Sequence, residues 1–73
     1  MNRFEQRREF SKRLITKMHE KGIDKKTLVI RSGIPEIEIT RYLTGVSPIS
    51  TVNATRLANV LSCDISDLTG IKE

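Results

Sequence analysis

Four glycines punctuate this chain, and each follows a short run of apolar residues at helical spacing: Gly22, Gly33, Gly45 and Gly70. Glycine just past the last periodic residue is a common helix stop, and a capping residue soon afterwards restarts the next helix. Asp24, Ser50 and Ser66 stand in that restarting place. Pro35 can sit only at the beginning of a helix, where its missing N–H is not needed. Chain cut in this way has no room for long strands. The one alternating stretch, Ile37-Glu38-Ile39, is too short to overrule the helix signals.

The apolar positions inside each segment agree with the punctuation. Asn2 with Glu5 has the form of a capping box. Phe10, Leu14 and Met18 then recur every four residues, with Ile15 beside them, as one stripe on a basic first helix ending near residue 21. Asp24 caps a second helix from Lys25 to about Ser32, with Leu28 and Val29 facing inward. A third helix, 35–44, carries Ile39, Tyr42 and Leu43 at i, i+3 and i+4. Residues 46–49 form a loop containing Pro48. Ser50 caps a fourth helix, where Ala54, Leu57, Ala58 and Leu61 fit i, i+3, i+4, i+7, and Val60 flanks them. Cys63 and Ile65 continue the apolar sequence, and Ser66 caps a last turn holding Leu68. The expectation is an all-α, compact five-helix domain. At 73 residues it forms one unit, 1–73, around one thin core.

Composition narrows the function. The single cysteine, Cys63, cannot form an internal disulfide, and no long apolar run or signal peptide opens the chain. A cytoplasmic protein without a membrane partner is expected. His19 is the only histidine, so neither a metal cluster nor a Cys/His catalytic pair is available, and no glycine-rich phosphate loop appears. No enzyme, cofactor or metal is expected. The net charge is +4, but residues 1–26 carry nine Lys or Arg against four acids while residues 27–73 carry four against five. A basic N-terminal third points to a polyanionic partner; a solvated helix face of mixed charge is the plain alternative.

The middle of the chain is more specific. Two short helices, 24–32 and 35–44, joined by a turn at Ser32-Gly33-Ile34, have the helix-turn-helix arrangement. Leu28 and Ile39 are placed to lock the two helices, with Ile34 filling the angle between them. From about Phe10 to Gly70 the chain resembles the lambda repressor/Cro family of helix-turn-helix domains. Gly22-Ile23-Asp24-Lys25 is similar to that family's Gly-Leu-Ser-Gln, and Gly33-Ile34-Pro35 to its Gly-Val-Ser turn. Residues 39–45, Ile-Thr-Arg-Tyr-Leu-Thr-Gly, resemble the end of its recognition helix. Leu57-Ala58-Asn59-Val60-Leu61-Ser62-Cys63-Asp64-Ile65 looks like its Leu-Ala-x-Ala-Leu-Gly-Val-Ser-Leu. There are departures. Val29 stands where the family often has Ala, and Lys25 where it often has Gln. Met18 and Leu43 occupy the places of a common Arg–Glu pair, so an apolar contact replaces an ion pair.

The resemblance implies a sequence-specific double-stranded DNA-binding transcriptional regulator, of the phage or prophage repressor type, with helix 35–44 in the major groove. Its outer face would hold Glu36, Ile37, Thr40, Arg41 and Thr44. Arg41 suits guanine O6 and N7, Glu36 cytosine N4, and Ile37 or the Thr40 methyl a thymine methyl. Glu36 and Glu38 also suit the positive end of the helix dipole, which is the plain alternative for both. Lys25 and, more weakly, Lys26 would contact phosphates. So would Ser47 and the backbone N–H groups of Val46, Ser47 and the Ser50–Thr51 helix start. Arg3, Arg7, Arg8 and Arg13 would add a basic field rather than direct contacts.

One such unit buries little surface, so a homodimer on a roughly palindromic operator is expected, with Ile65 and Ile71 as its contact. The rival reading is a protein-interaction module on the same fold, such as an antitoxin-like or anti-regulator protein. Whether the chain is naturally short, as in Cro-like proteins, or the N-terminal part of a longer repressor is open at this stage.

Overall fold

Asn2 Oδ1 accepts the Glu5 N–H at 2.9 Å and starts α1 (Arg3–Lys21). Asp24 Oδ1 does the same for the Thr27 N–H at 2.8 Å, opening α2 (Lys25–Ser32). Pro35 is the N-cap of α3 (Glu36–Thr44), so this helix begins one residue later than its proline suggests. Ser50 Oγ accepts the Asn53 N–H at 3.1 Å and starts α4 (Thr51–Val60), and α5 is Ile65–Thr69. This is a computed structural model, and it describes residues 2–70. The fold is all-helical among those residues, with five helices.

The helices enclose one core. Leu14, Leu28, Ile34, Ile39, Leu57, Leu61 and Leu68 are its largest fully buried side chains. They come from α1, α2, the turn, α3, α4, the residue closing α4, and α5, so no element is dispensable. Phe10, Tyr42 and Ala58 complete the cluster. Met18, Val29, Leu43 and Cys63 pack against it while partly buried. Met18 and Leu43 thus each add apolar packing to the core.

Two local expectations need correction. Ile15 is 50% exposed and does not extend the α1 stripe. It lies about 100° around the helix from Leu14. Ser11 takes the inward place instead, buried where its hydroxyl donates to the Leu43 carbonyl of α3. Ser66 does not cap the last helix. Asp64 does, through a reciprocal box with Asp67 in which Asp67 Oδ2 accepts the Asp64 N–H at 3.2 Å. The box has Asp where Glu or Gln is usual, which hid it in the sequence.

Candidate nucleic-acid interface

The turn between α2 and α3 is built from three local devices. Gly33 adopts φ +73°, a left-handed conformation that side chains rarely adopt, and no atom lies within 4 Å of where its Cβ would be. The requirement for glycine there is therefore backbone conformation, not space. Ser32 is buried, and its hydroxyl oxygen accepts the Ile34 N–H at 3.1 Å. Ile34 then enters the core between the two helices. These contacts fix the angle at which α3 leaves the turn.

The rest of α3 is held from behind. Tyr42 meets Phe10 of α1 edge to face, with ring centroids 5.8 Å apart and planes at 89°. Its hydroxyl accepts from Asn53 Nδ2 of α4 at 2.7 Å. At the C-terminal end, Gly45 again has φ +73°, and its Cβ position lies 3.6 Å from the Arg7 carbonyl oxygen. Arg7 Nη1 donates to the Val46 carbonyl at 3.3 Å. Bonds to α1 and α4 thus hold one side of α3.

The other side is open. Glu36, Ile37, Arg41 and Thr44 are exposed and Thr40 is half-buried, so the five expected residues share one face. Ile37 is 61% exposed, far from the packing that an isoleucine ordinarily finds. Arg41 has no side-chain partner among the described residues. The Thr44 hydroxyl is turned back on its own helix, donating to the Thr40 and Arg41 carbonyls at 2.9 and 3.2 Å.

Lys25 and Glu36 come together in a way the sequence reading did not anticipate. They are the first residues of α2 and α3, and Lys25 Nζ lies 3.5 Å from Glu36 Oε1. Opposite charges opening two consecutive helices of a helix-turn-helix were the signal that would have found the pair. Lys26 is exposed beside Lys25.

Another adjustment concerns the loop after α3. The Val46 N–H donates to the Arg41 carbonyl at 2.9 Å, closing the helix. It is therefore not available to a phosphate. Ser47, one residue on, is half-buried, and its N–H donates to no backbone carbonyl among the described residues. Ser50 and Thr51, at the start of α4, are exposed.

Ile65 stands at the start of α5, away from α3, and is 38% exposed. Ile71 lies outside the described residues. A groove of about 560 Å³ includes Arg3, Arg7, Arg13 and Ile49 in its lining but no residue of α3. The exposed face of α3 is thus distinct from this groove.

The groups with displaced titration lie off the α3 face. The Asp24 carboxyl is held below its ordinary value because it accepts the Thr27 N–H. Lys17 is raised by its hydrogen bond and charge contact with Glu20. Burial pushes the Cys63 thiol up. Among the described residues no group of His, Cys, Asp and Glu is arranged to hold a metal ion, and no helix is long and apolar enough to cross a membrane.

No curated protein and no solved structure matches the chain significantly. Residues 13–73 match the family described as the Cro/C1-type HTH DNA-binding domain. That stretch contains the turn, both helices flanking it, the exposed face of α3 and the two later helices. The chain belongs to the Cro/C1-type helix-turn-helix DNA-binding family.

Proposed function

We propose that residues 1–73 act as one sequence-specific double-stranded DNA-binding unit, a cytoplasmic transcriptional regulator of the phage-repressor kind. The observation that carries this reading is α3 itself. One side is packed against α1 and α2 and hydrogen-bonded to α4 through Asn53, and the other presents Glu36, Ile37, Thr40, Arg41 and Thr44 to solvent. A helix held so firmly can enter a major groove without losing its orientation.

In this reading Arg41 donates two hydrogen bonds to guanine, and Ile37 with Thr40 contacts thymine methyls. Thr44 and Ser47 follow the backbone. Lys25 and Lys26 neutralise phosphates. Glu36 has two roles: one carboxylate oxygen steadies Lys25, and the other accepts from cytosine N4. A homodimer, joined through the partly exposed Ile65 of α5 and through Ile71, doubles the contacted surface on a roughly palindromic operator.

A salt titration tests the reading. Binding through several phosphates weakens with a log–log slope of about −0.9 for each phosphate neutralised. A steep slope on a selected duplex is the expected result. Absence of duplex binding at any salt concentration overturns the reading in favour of a protein-interaction module.

A further inference from the structure

We propose that Arg8 is a DNA phosphate contact beside the C-terminal end of α3, added to the helix-turn-helix by the first turns of α1. The proposal rests on the DNA-binding reading and extends its footprint. The family match begins at residue 13, whereas α1 begins at Arg3. Residues 3–12 are therefore helix outside the matched stretch, and they run beside the end of α3. Ser11 donates to the Leu43 carbonyl, and Arg7 Nη1 to the Val46 carbonyl at 3.3 Å. The Arg8 Cα lies 3.7 Å from the Cβ position of Gly45. Arg8 is thereby fixed next to the residues leading into Ser47.

The arginines of α1 are not equivalent. Arg7 is half-buried, its Nη1 is bound to Val46, and its Nε is shielded from solvent. It braces the loop. Arg13 Nε lies 3.0 Å from Glu9 Oε1, and its guanidinium covers Gly70, with Cζ 3.1 Å from the Cβ position there. Its charge is engaged by a carboxylate. Arg3 lines the groove that also holds Arg13 and Gly70.

Arg8 alone of these four is exposed and held over a ring. Its guanidinium carbon lies 5.8 Å from the ring centroid of Phe4, one helical turn earlier. Neither a carboxylate nor a carbonyl accepts from it among the described residues. Phe4 is itself 62% exposed. An aromatic face attracts the guanidinium and limits its freedom without cancelling its charge. A planar cation kept ordered but not neutralised is suited to a phosphate, whose oxygens match its donor fork.

The test compares Arg8→Ala, Arg8→Lys and Arg13→Ala with the unaltered chain on one duplex that the unaltered chain selects. Affinity is measured between about 50 and 200 mM salt. Removing one phosphate contact should make the slope shallower by about 0.9, so the loss of affinity across that range shrinks about 3.5-fold. Arg8→Ala should show this change with base preference intact. Arg8→Lys, which keeps the charge, and Arg13→Ala should both keep the original slope. If Arg8→Ala keeps the original slope on a duplex the unaltered chain still selects, the Arg8 contact is refuted and the DNA reading stands. If Arg8→Lys is as shallow as Arg8→Ala, charge is not the cause and the proposal fails. If the unaltered chain selects no duplex, both fail.

Discussion

Glu36→Gln removes a charge that the fold and the proposed recognition both use, so it separates the two roles. At 3.5 Å the Lys25–Glu36 attraction is about 1.2 kcal/mol in bulk water. The side chains are 40% and 73% exposed, so the bulk-water limit is the appropriate one. Ordering two long side chains reduces the net contribution to about 0.5 kcal/mol. Losing a negative charge from the first turn of α3 costs a further 0.3–1 kcal/mol or so. The variant should therefore be about 1 kcal/mol less stable, and a domain of this size should melt about 4–8 °C lower. In roughly 1 M salt, where screening acts over about 3 Å, the difference should narrow. Thermal melts at low and high salt measure this. On DNA, the glutamine should move preference at one base pair from cytosine toward adenine, which it can contact bidentately, by about 1–3 kcal/mol. Competition among four duplexes differing at that pair measures the change. An equal gain in affinity for all four duplexes, with no change in rank, would refute the readout role and leave Glu36 as a support for Lys25 and the helix.

The other expectations concern the turn, a cap and the assembly. Ile34→Ala empties a buried site at the helix-turn-helix angle and should cost about 2–5 kcal/mol in urea unfolding, a large share of the roughly 4–11 kcal/mol available to a domain this size. A loss under about 1 kcal/mol would mean that Ile34 does not set the angle. Asp24 has a lowered folded pKa, so its contribution is present above the ordinary carboxylate range and is lost as pH falls through the lowered value. Asp24→Asn keeps a capping oxygen, so it should melt like the unaltered chain near neutrality and show weaker acid sensitivity; identical acid profiles would contradict this. Ile65→Asp should abolish cooperative operator binding with little change in melting temperature, and a large fall in stability would instead make Ile65 a core residue.

The elements were legible because local signals agreed. Asp24, Gly33, Gly45 and Ser50 mark their boundaries in the sequence and hold those places in the fold. The core of α4 could be read from i, i+3, i+4, i+7 because that face meets apolar neighbours throughout. Ile15 was misread because α1 packs against α3 on one flank and α5 on another, and the period alone does not say where a flank ends. Ser11 supplied the missing contact, but a serine gives no apolar signal. The exposed face of α3 was legible as the complement of its buried face. The Lys25–Glu36 contact was legible only as opposite charges opening two consecutive helices; that the two side chains meet depends on the angle between those helices, where Ile34 is buried. The closed Val46 N–H was hidden for a similar reason: it depends on how the backbone turns at Gly45. The difference between Arg7, Arg8 and Arg13 is likewise a matter of which α1 flank each occupies.

Selection from random duplexes, run in parallel with the unaltered chain and with Arg41→Ala, asks whether α3 reads base sequence. Arg41 is exposed on α3 and has no side-chain partner to disturb among the described residues. The unaltered chain should enrich one motif with two related half-sites. Arg41→Ala should enrich the same motif with preference relaxed at one G·C pair in each half-site, worth about 1–3 kcal/mol. Failure of the unaltered chain to enrich any motif, or an identical motif from Arg41→Ala at every position, would contradict the assignment of α3 as the reading helix.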